Sequence, residues 1–290
     1  MKKYIVIITC MVTLLFTLTG CGTQNKEKKG EFKIVSSFYP VYIMLANITD
    51  GAQNVKIENM ASNSTGCLHD YTLTTTDLKK LEQANVFVTS GVENFMVNVS
   101  RTYPELLVIN STVEIPNIIS DEQEINNHMW LDISNYISQV KVITEELVKC
   151  NPENKSIYEE NSNTYVQELE EIRNWAEEEF TTSKKCISFD ETLAYLKFSM
   201  NLDIKTIETD HEQSGLSAET ISDVIDYMKQ NSINIIITSK DTNNKNAEVI
   251  AAETGAKIYK LDTAITGQMD KDAYLAAMEY NIEQIKTMED

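Results

Sequence analysis

The 290-residue chain has three histidines, all in polar stretches: His69 in GCLHDY, His128 in NNHMWLDIS and His211 in ETDHEQSG. Two carboxylates close apolar, β-branched runs, Asp190 in CISFD and Asp262 in KIYKLD. Imidazole nitrogens and carboxylate oxygens together suit a borderline divalent ion. Zn2+ fits if each carboxylate binds through one oxygen, and Mn2+ if both bind through two and raise the coordination number. His69, His128, Asp190 and Asp262 therefore form a candidate N2O2 set. Glu191 offers a neighbouring carboxylate for the position of Asp190, and His211, with Glu212, is a candidate secondary contact. The chain carries no HExxH, GxSxG or P-loop motif. Four protein ligands would also close the site, which suits capture of an ion better than turnover.

These residues need elements to position them. From Phe32 onward, strand-like runs alternate with amphipathic helix patterns. Residues 32–38, 54–61, 86–91 and 105–111 read as strands in the first half, and 185–190, 203–209, 233–239 and 257–262 in the second. Ser217 is placed to cap one helix, and Gly255 to end another. Buried strands separated by helices predict an α/β fold of two lobes, each a parallel four-stranded sheet flanked by helices. Between the halves, Tyr158, Tyr165, Leu169, Ile172, Trp175 and Phe180 recur at helical spacing after Asn151 and Pro152. That pattern predicts one rigid linking helix of about 28 residues, roughly 42 Å long. Such a rod separates Cys150 from Cys186 and argues against a bridge between them. Ligands of open parallel sheets bind at the carboxyl ends of the strands, so the cleft between the lobes would receive two imidazoles from one side and two carboxylates from the other.

The first twenty residues, MKKYIVIITCMVTLLFTLTG, have a basic start and a short apolar core, the pattern of a signal peptide. The following LTGC resembles the lipobox of bacterial lipoproteins, which implies lipid attachment at Cys21 and a flexible tether over residues 21–31. The expected organisation is then residues 32–150 as the N-terminal lobe, 151–182 as the linking helix and 183–290 as the C-terminal lobe. Removing the leader makes the formal charge of −19 two units more negative, which excludes a basic nucleic-acid footprint. With Cys21 acylated, Cys67, Cys150 and Cys186 are an odd set with no CxxC pair, so neither a disulfide framework nor a zinc ribbon is expected. Cys67 reads as a small buried loop residue, with metal ligation as its alternative.

Four stretches resemble one known family, the metal-binding solute-binding proteins of zinc and manganese ABC importers. GCLHDYTLTTTDLKKLEQANVFV looks like its HDY element and following helix, HMWLD like its HxWLDP, FDETLAYLKFSMNL like its fHeAFaYL segment, and AAETGAKIYKLDT like its AxETGAKVxxLDP. The resemblance covers nearly all of residues 32–290. It implies that His69, His128 and Asp262 are metal ligands. At the third position Asp190 stands where zinc-type members carry His and several manganese-type members carry Glu, with Glu191 adjacent. The prolines that follow HxWLD and LD in the family are replaced by Ile133 and Thr263.

The resemblance implies an extracytoplasmic protein, lipid-anchored to the outer face of the bacterial cytoplasmic membrane. It would capture zinc first and manganese second, and pass the ion as a monomer to a membrane permease and its ATPase. The ion is cargo, and no cofactor is expected. A metal-dependent hydrolase using Glu191 or Glu212 as base is the alternative from another class. A clamp for an organic solute is a third reading, but Arg101 and Arg173 do not lie at expected strand ends. Only neutral imidazole ligates, so ion affinity should fall below about pH 6. Titrations between about pH 5 and 7.5 check this, and a flat profile counts against histidine ligation.

Overall fold

The computed structural model describes residues 30–61, 71–91, 93–119, 125–207 and 216–289. Residues 32–290 form one compact unit. The leader, Cys21 and the tether to residue 29, Cys67, His69, His211 and Glu212 lie outside the described residues.

The N-terminal half contributes β1 (Phe32–Ser36), α1 (Tyr39–Ile48), β2 (Val55–Asn59), α2 (Thr75–Gln83), β3 (Val86–Thr89), α3 (Met96–Thr102) and β4 (Leu107–Asn110). Two long helices follow, α4 (Ile133–Cys150) and α5 (Lys155–Glu179). The C-terminal half contributes β5 (Lys184–Ser188), α6 (Leu196–Ser199), β6 (Leu202–Thr206), α7 (Ala218–Asn231), β7 (Ile235–Ser239), α8 (Lys245–Thr254), β8 (Lys257–Leu261) and α9 (Ala273–Lys286). The sheets run β2-β1-β3-β4 and β6-β5-β7-β8, and every pairing is parallel. The inner strands β3 (VFVT) and β7 (IIITS) are buried along their whole length, as strands covered on both faces must be. This is the α/β architecture that the alternation of patterns implies.

Local signals set the helix ends. Thr74 and Asp77 cap each other in a capping box at the start of α2. The side chains of Asp132, Ser217 and Asn244 accept the first free N–H groups of α4, α7 and α8. Gly255 closes α8 with φ of 76°, a left-handed cap that costs glycine nothing. The linking helix differs from expectation in its first turn. Pro152–Asn154 is a 3-10 turn, and α5 proper has 25 residues. The side chain of Asn151 does not cap the helix; its Oδ1 accepts the Asn154 amide at 2.7 Å and the Tyr158 hydroxyl at 3.1 Å.

The two sheets share most of one apolar core. A single cluster of buried side chains runs from Ile34 and Phe87 through Tyr136, Tyr165 and Leu169 to Ile235, Leu261 and Tyr274. A smaller cluster, including Phe189, Val224 and Met228, lies under α7 and α8. At the centre of the large one, the Tyr136 ring stacks on Tyr274 at 3.5 Å and meets Tyr165 edge-on at 6.2 Å. The Tyr165 hydroxyl donates to the Tyr136 hydroxyl at 3.2 Å. The stack joins α4, α5 and α9. Cys186 sits in the same core, where burial and then the charge of Asp203 push its thiol up to about 12. Cys150 and Cys186 are both free. Truncating Tyr136 to Ala should cost about 3–5 kcal/mol of unfolding free energy. Urea denaturation of the full chain measures it, and a loss under about 1 kcal/mol would mean the halves do not depend on a common core.

Candidate metal centre

The carboxyl ends of both sheets are polar and buried: Ser36, Ser37, Thr89 and Ser90 in one, Ser188, Thr238, Ser239 and Asp262 in the other. The HMWLD stretch, His128 to Asp132, ties them together. His128 is 1% exposed and lies edge-on to Trp130 at 5.2 Å. The Trp130 indole N–H donates to the carbonyl of Thr263, next to Asp262, at 2.9 Å. The Trp130 carbonyl accepts the Tyr274 hydroxyl at 2.7 Å. Asp132 is buried but fully engaged. Its Oδ1 accepts from Ser134 N–H and the Ser199 hydroxyl, and its Oδ2 from the Asn117 amide. The aspartate of this motif is therefore a clamp between the halves.

Asn126 decides how that histidine is presented. Its Nδ2 donates to the Glu191 carbonyl at 2.9 Å, so its Oδ1 is the atom facing His128. That oxygen accepts the His128 backbone N–H at 3.0 Å and also meets Nδ1 at 2.9 Å. A carboxamide oxygen only accepts, so Nδ1 carries the proton and Nε2 is the electron-pair donor. An outer partner of this kind commonly fixes the tautomer of a metal-ligating histidine. Asn126 is held in turn by the Tyr195 hydroxyl, which donates to its carbonyl at 2.8 Å and accepts Ile119 N–H at 3.0 Å. Burial pushes the Tyr195 hydroxyl above the usual tyrosine value, so it remains a donor at neutral pH.

Asp190 lies on the turn after β5. Asp190 caps the short 3-10 helix Glu191–Tyr195, with Oδ1 accepting Thr192 N–H at 3.0 Å, which leaves Oδ2 as the oxygen not used by the cap. Glu191 is brought beside His128 by its backbone, through Asn126. Asp262 follows β8 directly. Its N–H and carbonyl are gripped by the amide of buried Asn281 at 2.7 and 2.9 Å. Oδ1 accepts Ala264 N–H at 2.8 Å. Oδ2 pairs with Lys240 Nζ at 2.5 Å. Burial alone would lower the Lys240 ammonium, but the hydrogen bond and charge of Asp262, aided by Asp241, outweigh it and hold the pKa above the usual lysine value. Among the described residues, no three His, Cys, Asp or Glu side chains form a cluster able to hold an ion.

A cleft of about 370 Å³ opens beside Asp262 and Lys240, bounded by Tyr39 and Ile43 of α1 and by Gln268 and Asp270. The Tyr39 hydroxyl donates to the Gln268 carbonyl at 2.6 Å. Burial first, then the charges of Asp262 and Asp270, push it up to about 12. Gly267 passes so close that a Cβ there would sit 2.5 Å from the Tyr39 hydroxyl. The sequence gives little warning of Asn126 or Asn281. Lys240 was detectable in principle, because consecutive βαβ strands pair and Ser239 stands opposite Leu261. Tyr71, two residues after His69 in the chain, is anchored by its hydroxyl on Asp77 at 2.8 Å and packs on Phe95 at 5.9 Å.

Two parallel sheets bearing polar residues at their carboxyl ends are the form of an α/β ligand-binding protein. The substrate-binding protein FpvC of Pseudomonas aeruginosa, solved with Mn2+, superposes with a TM-score of 0.78 at 23% identity, covering 88% of this chain and 97% of that one. Zn(II)-bound AdcA of Streptococcus pneumoniae gives 0.76 at 22% identity, over 89% of this chain and 57% of that one. The family model for zinc-uptake complex component A, periplasmic, matches residues 34–288, and the chain belongs to this family. The manganese-binding lipoprotein MntA of Halalkalibacterium halodurans is 24% identical over 98% of this chain and 97% of its own length. The zinc-binding protein AdcA of Streptococcus pyogenes is 22% identical over the whole chain, which spans 62% of AdcA.

The orientation of His128 is open to direct measurement. Long-range 1H–15N correlation of the imidazole should find the proton on Nδ1 in the parent, and that preference should weaken in Asn126→Leu. A parent ring protonated on Nε2 would contradict the geometry.

Proposed function

We propose that the protein captures a divalent transition metal ion, zinc first and manganese second, and delivers it to the permease of an ABC importer. The observation that carries this reading is the buried imidazole of His128, oriented by Asn126 so that Nε2 is its electron-pair donor. His128 and Asp262 are two of the ligands, His69 is a third, and Asp190 or Glu191 completes the set. The sites of Asp262 and His128 are coupled through Trp130 and Thr263, which supports one shared centre. The ion is cargo, and the chain is a binding protein with no catalytic step. His211 is at most an outer contact.

Domain organisation and location follow the same reading. Residues 1–20 are a signal peptide, Cys21 carries the lipid and residues up to 31 form the tether. The N-terminal lobe spans 32–150, the linking segment 151–182 and the C-terminal lobe 183–290. The folded body works as a monomer outside the cytoplasmic membrane, where permease and ATPase complete the importer. The relatives named as lipoproteins support this placement.

Metal content and competition titrations on the full chain test the proposal. One equivalent of zinc or manganese should bind, and His128→Ala should weaken binding by at least about 100-fold, as loss of a ligand exceeds the 10–100-fold of an outer contact. Comparing Asp190→Ala with Glu191→Ala assigns the third position. A parent that takes up no ion even after loading would refute the reading.

A further inference from the structure

Lys240 is the residue beside the centre for which ion capture has no use as a ligand. It follows β7 directly, and the parallel register that sets Ser239 opposite Leu261 puts it alongside Asp262. Its backbone N–H donates to the Leu261 carbonyl at 2.8 Å, so the position is fixed by the sheet. Its ammonium meets Asp262 Oδ2 at 2.5 Å and lies 5.4 Å from the centre of the Tyr280 ring. Asp262 has little choice of partner. Oδ1 is committed to Ala264 N–H, in a turn where Ala264 adopts φ of 51°, and Asn281 grips the backbone on both sides. The oxygen that remains for a cation is the one Lys240 holds. An ion bonding Oδ2 at about 2.0–2.2 Å would have to share that oxygen with the ammonium, and an ammonium a few ångströms away repels a dication.

We infer that Lys240 is a tethered competitor for the cargo ion: it occupies Asp262 Oδ2 until the ion arrives, swings aside on capture and returns as the ion leaves. This rests on Asp262 being a ligand. The exit path is open, because the Lys240 side chain is 39% exposed whereas that of Asp262 is 10% exposed. A monovalent cation already seated on the carboxylate raises the threshold for entry, so only a cation that gains more from the whole ligand set displaces it. It also lowers the barrier to release, since the vacated oxygen is recharged from within the protein. Apparent affinity falls by the fraction of time the oxygen is free, so a roughly tenfold preference for the closed pair costs about tenfold in Kd.

The experiment is zinc alone, titrated into the full chain against a chromogenic chelator, with the release rate read after adding excess chelator. Lys240→Met should bind zinc about tenfold tighter and release it more slowly, while Lys240→Arg should bind no tighter than the parent. Lys240→Met should also melt at a lower temperature without zinc and gain more from adding it, a readout independent of the titration. In an Asp262→Asn background, which itself weakens binding, Lys240→Met should tighten zinc binding by clearly less than tenfold, since only the repulsion between ammonium and ion is left to relieve. If Asp262→Asn weakens binding but Lys240→Met leaves affinity unchanged or poorer, the competitor is refuted and Asp262 stands as a ligand. If Asp262→Asn has no effect on zinc, the ligand assignment fails and the competitor with it.

Discussion

The core shared between the two sheets is the constraint on which everything else depends. Tyr136 lies between Tyr274 and Tyr165, so α4, α5 and α9 pack on common rings. Large buried aromatics contribute both area and a preferred geometry, and sliding one half against the other would break both. Around this column a seam of directional bonds crosses between the halves: Trp130 to Thr263, Ser199 to Asp132, Tyr195 to Asn126 and Tyr39 to Gln268. The candidate centre is built into that seam, and its geometry is inherited from the frame.

Such a frame makes large hinge closure costly. Under the proposed ion capture, rearrangement would be local, confined to side chains and loops at the strand ends. Lys240 suits that scale, since leaving Asp262 asks only for rotation of its own flexible stem. Asp132 and Tyr195 belong to the same frame: each is bonded on more than one side, which fixes the stretch that carries Asn126 and His128.

The fold was largely legible in the sequence because its signals are repeated and local. Buried β-branched runs, capping residues such as Ser217 and a glycine after α8 each act over a few residues. The linking helix starts later than its pattern suggests, after a 3-10 turn, and the Asn151 side chain bonds Asn154 and Tyr158, three and seven residues on, rather than the helix end. At the candidate centre, His128 and Asp262 stood out in the sequence by residue type and position, and the structure places both in buried, polar surroundings. Their supporting cast did not stand out. Asn126, an asparagine in a polar loop, has no periodicity to betray it, and Asn281 reaches Asp262 across 19 residues. Asp190 showed why an aspartate after a strand is ambiguous, since one of its oxygens does cap a helix.

The ring that completes the column, Tyr274, stands on the last helix of the chain. Tyr136 is made about 140 residues earlier, which at ribosomal rates of about 5–20 residues per second is about 7–28 seconds of synthesis. During that interval the N-terminal half cannot bury its own centre, however well its strands pair. The column of rings therefore stays unfinished until α9 has been made, which makes that helix the element whose arrival completes the shared core.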